Sequence, residues 1–185
     1  DPPTHTQYRK FVMPALSPAR LEGIEARITE RVERLFAEVP LNETVNILPL
    51  LTVPLPLLTL AELLGVPAEM WHDLHRWTDA FVGEDDPDFR QSPEAMQAVM
   101  GEFIGFAAAL FEERRANPGP DIASLLANTE IHGAPVPLGD FIGNLILALV
   151  GGNETTRNSI NHSLIAFANN PDQWDAIRAD PGLLP

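Results

Sequence analysis

His5 and Arg9 stand four residues apart in the opening segment Asp1-Pro2-Pro3-Thr4-His5-Thr6-Gln7-Tyr8-Arg9. A helix beginning near Pro3 presents both from one face. The pair suits an anionic group, carboxylate or phosphate, with the guanidinium giving a charged fork and the imidazole a second donor. The same spacing also describes an ordinary solvated helix face, the commoner outcome for such a pair. A second constellation is Gly151-Gly152-Asn153-Glu154-Thr155-Thr156. It interrupts an apolar-periodic segment with two glycines, each costing a helix about 1 kcal/mol relative to Ala. Thr155 can turn its hydroxyl back on the carbonyl of Gly151 or Gly152 and open a groove. The spacing therefore predicts a distorted helix, shaped for a ligand or for the close passage of another backbone.

Other candidates carry less. His72 and His75 are three apart, but no third ligand is marked and HExxH is absent. The acidic turn Glu84 to Asp88 lacks the Gly and the terminal Glu of a calcium loop. No GxGxxG, P-loop or GxSxG elbow occurs. With no Cys, the chain has no disulfide, no cysteine nucleophile and no thiolate metal ligand, and no metal ligand is assigned.

The elements that must position these residues are mostly helices. Leu21, Ile24, Ile28, Val32, Leu35, Phe36 and Val39 recur at threes and fours, after a start at Ser17-Pro18 that can cap a helix. Ser92-Pro93 opens another, with an apolar stripe of Val99, Phe103, Phe106, Leu110 and Phe111. Met70, Leu74, Trp77 and Phe81 fit a helix ending near Gly83, and Leu57 to Leu64 a shorter one closed by Gly65 and Pro67. Val45-Asn46-Ile47 reads as a short edge strand, and Glu130 to Pro137 as a small hairpin. The longest helix runs from about Leu138 to Asn170, with a last short one around Trp174 to Ala179.

Length and charge exclude several classes. The 185 residues suit one domain or a large piece of one, with 45% apolar residues for a core. Twelve Lys+Arg against 26 Asp+Glu give a net charge of −14, the wrong sign for a nucleic-acid binder. No run of 18 apolar residues marks a membrane span. The chain opens at Asp1 and closes at Pro185, and is expected to be a piece of a longer parent.

Together these motifs resemble the cytochrome P-450 family of haem-thiolate monooxygenases, in its soluble bacterial class. Gly151 to Thr156 is similar to that family's central-helix signature, (Ala/Gly)-Gly-x-(Asp/Glu)-Thr-(Thr/Ser), and Asp1-Pro2-Pro3-x-His5-x-x-x-Arg9 to its haem-propionate helix. Leu60 to Pro67 (LAELLGVP) and Asn169-Asn170-Pro171-Asp172-Gln173-Trp174 match in order and spacing. The resemblance implies a mainly α fold with a long central helix and a minor β hairpin. Residues 1–185 would be a partial domain, from the propionate helix through the central distal helix to the short helix after it.

It also implies roles. His5 and Arg9 would bind the propionates of haem b, iron protoporphyrin IX. Gly151 and Gly152 would lie over the distal haem face, and Glu154 and Thr155 would act as an acid–alcohol pair delivering protons. The implied partners are O2, a small hydrophobic substrate, and NAD(P)H electrons through a ferredoxin or flavodoxin-type donor, in the cytoplasm. The family's axial Cys loop and its preceding Glu-x-x-Arg helix are missing here, so the activity is assigned to the parent protein. GGNETTRN (Gly151 to Asn158) and Gly83-Glu84-Asp85-Asp86-Pro87 resemble a branch acting on steroids, terpenoids and branched lipids. That suits an apolar pocket lined from Trp77, Phe81, Phe103 and Leu149, residues that make an ordinary helical core equally well. The alternative is a non-catalytic helical module that captures a hydrophobic ligand near Gly151.

Overall fold

The computed structural model describes residues 4–83 and 92–184; the acidic turn that begins at Glu84 lies outside them. The helices are α1 (Thr4–Val12), α2 (Pro18–Ala37), α3 (Pro54–Leu64), α4 (Trp71–Val82), α5 (Pro93–Ala116), α6 (Ile122–Ala127), α7 (Leu138–Asn169) and α8 (Pro171–Ala179). Strands β1 (Glu130–Ile131) and β2 (Ala134–Pro135) pair antiparallel as the expected hairpin. The mainly α expectation holds.

Prolines fix where helices begin, because a first-turn residue has no intrahelical partner for its N–H. Pro18, Pro54, Pro93 and Pro171 all take that place. Ser92 caps α5 by accepting from Ala95 N at 3.2 Å. Ser17 departs from expectation: it holds the cap position in extended backbone, but its hydroxyl makes no capping bond. Gly65 closes α3 in the left-handed region, with φ +71°, as Val66 N reaches back to Ala61 O at 2.9 Å.

The core forms around α3. Leu57, Ala61 and Leu64 are fully buried against Leu74 and Trp77 of α4, Phe103 and Ala107 of α5, and Phe141, Leu145 and Leu149 of α7. The last three recur every four residues, so one face of α7 fills the core. Trp77 and Phe81 pack edge-on against Phe103, with ring centroids 5.3 and 5.0 Å away. This overturns Trp77, Phe81, Phe103 and Leu149 as a pocket lining: three of them are buried core residues and Phe81 packs on that core. By length and composition α5 could cross a membrane, yet its Phe103, Ala107, Leu110 and Phe111 are built into this core.

Two other expectations change, and one helix is added. Val45-Asn46-Ile47 is no strand; Asn46 Oδ1 accepts from Leu48 N at 3.1 Å and starts a wide turn over Leu48–Thr52, closed by Val53 N to Leu48 O. Phe36 is exposed, while Ile24 and Leu35 are the buried residues of α2 among those described. Helix α6 had no periodic signal at six residues; Asp121 caps it, accepting from Ser124 N at 2.8 Å.

Candidate functional site

A groove of about 460 Å³ opens between α1 and α7. Its walls are apolar, with Met13, Leu16 and Leu60 on one side and Leu147 and Ala148 of α7 on the other. His5 and Arg9 line it from exposed positions one helical turn apart, as their spacing predicts. Among the described residues neither side chain has a hydrogen-bond or ion-pair partner. A free guanidinium beside an imidazole, on a chain of net charge −14, is a local cationic rim on an acidic molecule.

Tyr8 lines the same groove and donates its hydroxyl to Asp140 Oδ2 at 2.6 Å, which ties α1 to the first turn of α7. Partial burial pushes its phenol up to about 12, reinforced by the hydrogen bond to Asp140 and by that carboxylate's charge.

Helix α7 runs unbroken through Gly151–Thr156, which corrects the expected distortion. The predicted back-bond does form: Thr155 Oγ1 donates to Gly151 O at 2.7 Å. It is absorbed within the ladder, so the groove comes from the gap between α1 and α7 and not from a break in the helix. The two glycines divide the two readings between them. A Cβ on Gly152 would sit 3.3 Å from Leu60 Cδ1, so this glycine serves the α3–α7 crossing. A Cβ on Gly151 would meet nothing within 4 Å. Gly151 and Thr155 continue the exposed face on which Leu147 and Ala148 line the groove, at steps of three and four.

No family model matches the chain. Linalool 8-monooxygenase of Pseudomonas putida is 65% identical over 184 residues, all of this chain and 45% of that protein. Steroid C26-monooxygenase of Rhodococcus jostii is 34% identical over 180 residues, 97% of this chain and 38% of that protein. The solved structure of a Mycobacterium marinum cytochrome P-450 in complex with pseudoionone superposes with a TM-score of 0.89 at 30% identity, over 99% of this chain and 45% of that one. The chain belongs to the cytochrome P-450 family. It spans less than half the length of these relatives.

The fit of this cytochrome P-450 chain to haem is tested by the groove itself. Haem is a flat apolar ring with two carboxylates on one edge. The groove supplies apolar walls and an unpaired Arg9 and His5 at its rim, and the α7 face that continues beyond it is clear at Gly151. The residues present fit the group.

Glu154 points elsewhere than Thr155. Both of its carboxylate oxygens accept from Arg157 Nη2, at 2.6 and 2.8 Å. Arg157 Nη1 also lies 3.9 Å from Asp79 Oδ1 of α4, and His75 Nε2 stands 3.5 Å from the other Asp79 oxygen. Among the described residues no hydrogen bond joins Glu154 to Thr155. Asn153, between the glycines and the acid, is fully buried with neither amide atom partnered. The structure thus brings His5, Arg9 and the Gly151–Thr155 face to one side and places Glu154 on the flank. Sequence reasoning missed Arg157, although its i,i+3 spacing from Glu154 is a readable ion-pair signal. It also missed Tyr8–Asp140, which lie 132 residues apart and leave no local signal.

Proposed function

We infer that this chain forms the haem- and substrate-facing half of a cytoplasmic cytochrome P-450 monooxygenase acting on a terpenoid alcohol of the linalool type. The carrying observation is the single groove that faces the unpaired His5 and Arg9 of α1 with the α7 face leading to Gly151 and Thr155. The 65% identical relative named for linalool supports the substrate class.

Arg9 and His5 would hold haem b, which would supply the oxygen-activating chemistry with a thiolate from outside this Cys-free chain and electrons from NAD(P)H through a ferredoxin or flavodoxin-type donor. The chain's own residues do the rest. Arg9 and His5 hold the propionates by charge-assisted hydrogen bonds and fix the ring edge. Leu147, Ala148 and Met13 offer apolar walls that favour an apolar substrate. Gly151 leaves room on the α7 face where a side chain would intrude. Thr155 has committed its hydrogen to Gly151 O, so its oxygen is left to accept from a water on that exposed face of α7 and hold that water's remaining proton in place. Glu154, half-buried and one residue away, exchanges protons with solvent as its pairing with Arg157 opens.

The test is the complete protein with its reductase system, linalool and isotopically heavy dioxygen. The expected result is a hydroxylated linalool carrying one heavy oxygen atom per nicotinamide consumed. Turnover of a steroid with linalool left untouched would overturn the substrate class; a product bearing oxygen from water would overturn the reaction.

A further inference from the structure

Helix α1 is nine residues long and carries both donors of the groove rim, His5 and Arg9, so something outside it must fix the direction in which they point. His5 and Arg9 are themselves exposed and unpaired, and cannot do so. Among the described residues, the side-chain hydrogen bonds of α1 come from two neighbouring positions between them. Tyr8 donates to Asp140 Oδ2 at 2.6 Å. Gln7 meets the hairpin turn twice: its Oε1 accepts from His132 N at 3.3 Å, and its amide nitrogen stands 3.4 Å from His132 Nδ1. His132 has φ +53°, followed by Gly133 at +77°, a left-handed pair that turns the His132 N–H out of the two-residue strands toward α1. A non-glycine residue in that region is uncommon and strained, so the contact that uses it is a specific one.

We propose that Tyr8 and Gln7 are positioning residues for cofactor retention: clamped to Asp140 and to the His132 turn, they set the rotation of α1 that aims His5 and Arg9 at the haem propionates. The inference rests on the propionate reading of His5 and Arg9. It assigns the hairpin a task, as the anchor of the cofactor helix. It also predicts which chemical feature of haem feels the clamp, since Tyr8 acts through the donors of Arg9 and His5 and these engage the charged propionates.

The experiment is haem transfer from the complete holoenzyme to apomyoglobin, run with haem and with haem dimethyl ester, whose propionates are uncharged. Tyr8→Phe should release haem about threefold to tenfold faster than the natural protein, the range expected for one lost positioning hydrogen bond. Asp140→Asn retains an oxygen that accepts from the phenol and should stay near the natural rate, whereas Asp140→Ala should match Tyr8→Phe. Gln7→Ala gives a second, milder variant should Tyr8→Phe fold poorly. With the dimethyl ester, all variants should release at the same rate as the natural protein. An acceleration by Tyr8→Phe that persists with the ester would make the contact a packing feature only and overturn the proposal. Arg9→Ala separates this outcome from failure of the underlying reading. If Arg9→Ala speeds release of haem alone and Tyr8→Phe changes nothing, the clamp is wrong and the propionate site stands. If haem and its ester leave the natural protein and Arg9→Ala at one common rate, both fall.

Discussion

Thr155 and Glu154 are neighbours in sequence with separate surroundings in space. The threonine is exposed on the groove side of α7 and bonded to its own helix, while the glutamate is held by Arg157 on the flank nearer α4. A helix turns about 100° per residue, so adjacent side chains leave it in different directions, and α7 has no break that would turn these two together. Any exchange between them needs water or rotation of Glu154 away from Arg157. Tyr8 offers a test at the same scale. Its folded pKa stands at about 12 against an ordinary 10.0. Between those values the folded protein keeps a proton that the unfolded chain has lost, so this contribution to stability is full below pH 10 and fades as pH rises toward 12. Tyrosinate absorbance of the natural protein minus that of Tyr8→Phe should therefore titrate near the upper value. His5, Arg9, Gly151 and Thr155 were legible in the sequence because each is fixed by a spacing inside one helix. Arg157 was legible in principle by the same rule. Asp140 was not, since only the packing of α1 on α7 brings it to Tyr8.

The elements were legible where periodicity was long and ends were marked. Helix α7 is visible over 32 residues, and α5 from Ser92-Pro93 and its phenylalanine stripe. The six residues of α6 are too few for a period, and the turn at Leu48–Thr52 has β-branched neighbours that imitate a strand. The glycines of α7 show how a correct signal can carry a wrong geometry. Their cost in propensity is real, but Gly152 uses it to let Leu60 approach, with no break in the helix. Gly152→Ala and Gly151→Ala should then part company. In the absence of haem, Gly151→Ala should stabilise the complete protein by about 0.5–1 kcal/mol, because its methyl meets open space. Gly152→Ala should gain less or lose stability, as Leu60 must give way. Denaturant midpoints of the two apoproteins check this, and equal shifts would contradict the division of roles.

At the scale of the molecule, burial is uneven. From Glu154 through Leu184 no described residue is buried, and Leu147, Ile165 and Trp174 are exposed apolar side chains. The chain matches less than half the length of these relatives. Residues 1–185 expressed alone should give no thiolate-type carbon monoxide spectrum, because no Cys is available to ligate iron. They should also self-associate through that apolar surface, which light scattering would register. The family assignment, the groove and the proton-handling face of α7 converge on one measurement in the complete enzyme: product formed per nicotinamide consumed, for Thr155→Ala against the natural protein. The account predicts that haem and substrate binding persist while this ratio falls by about tenfold or more, since removing the hydroxyl removes the acceptor that holds the proton-bearing water in place. A Thr155→Ala enzyme that binds substrate and keeps the natural ratio would contradict it.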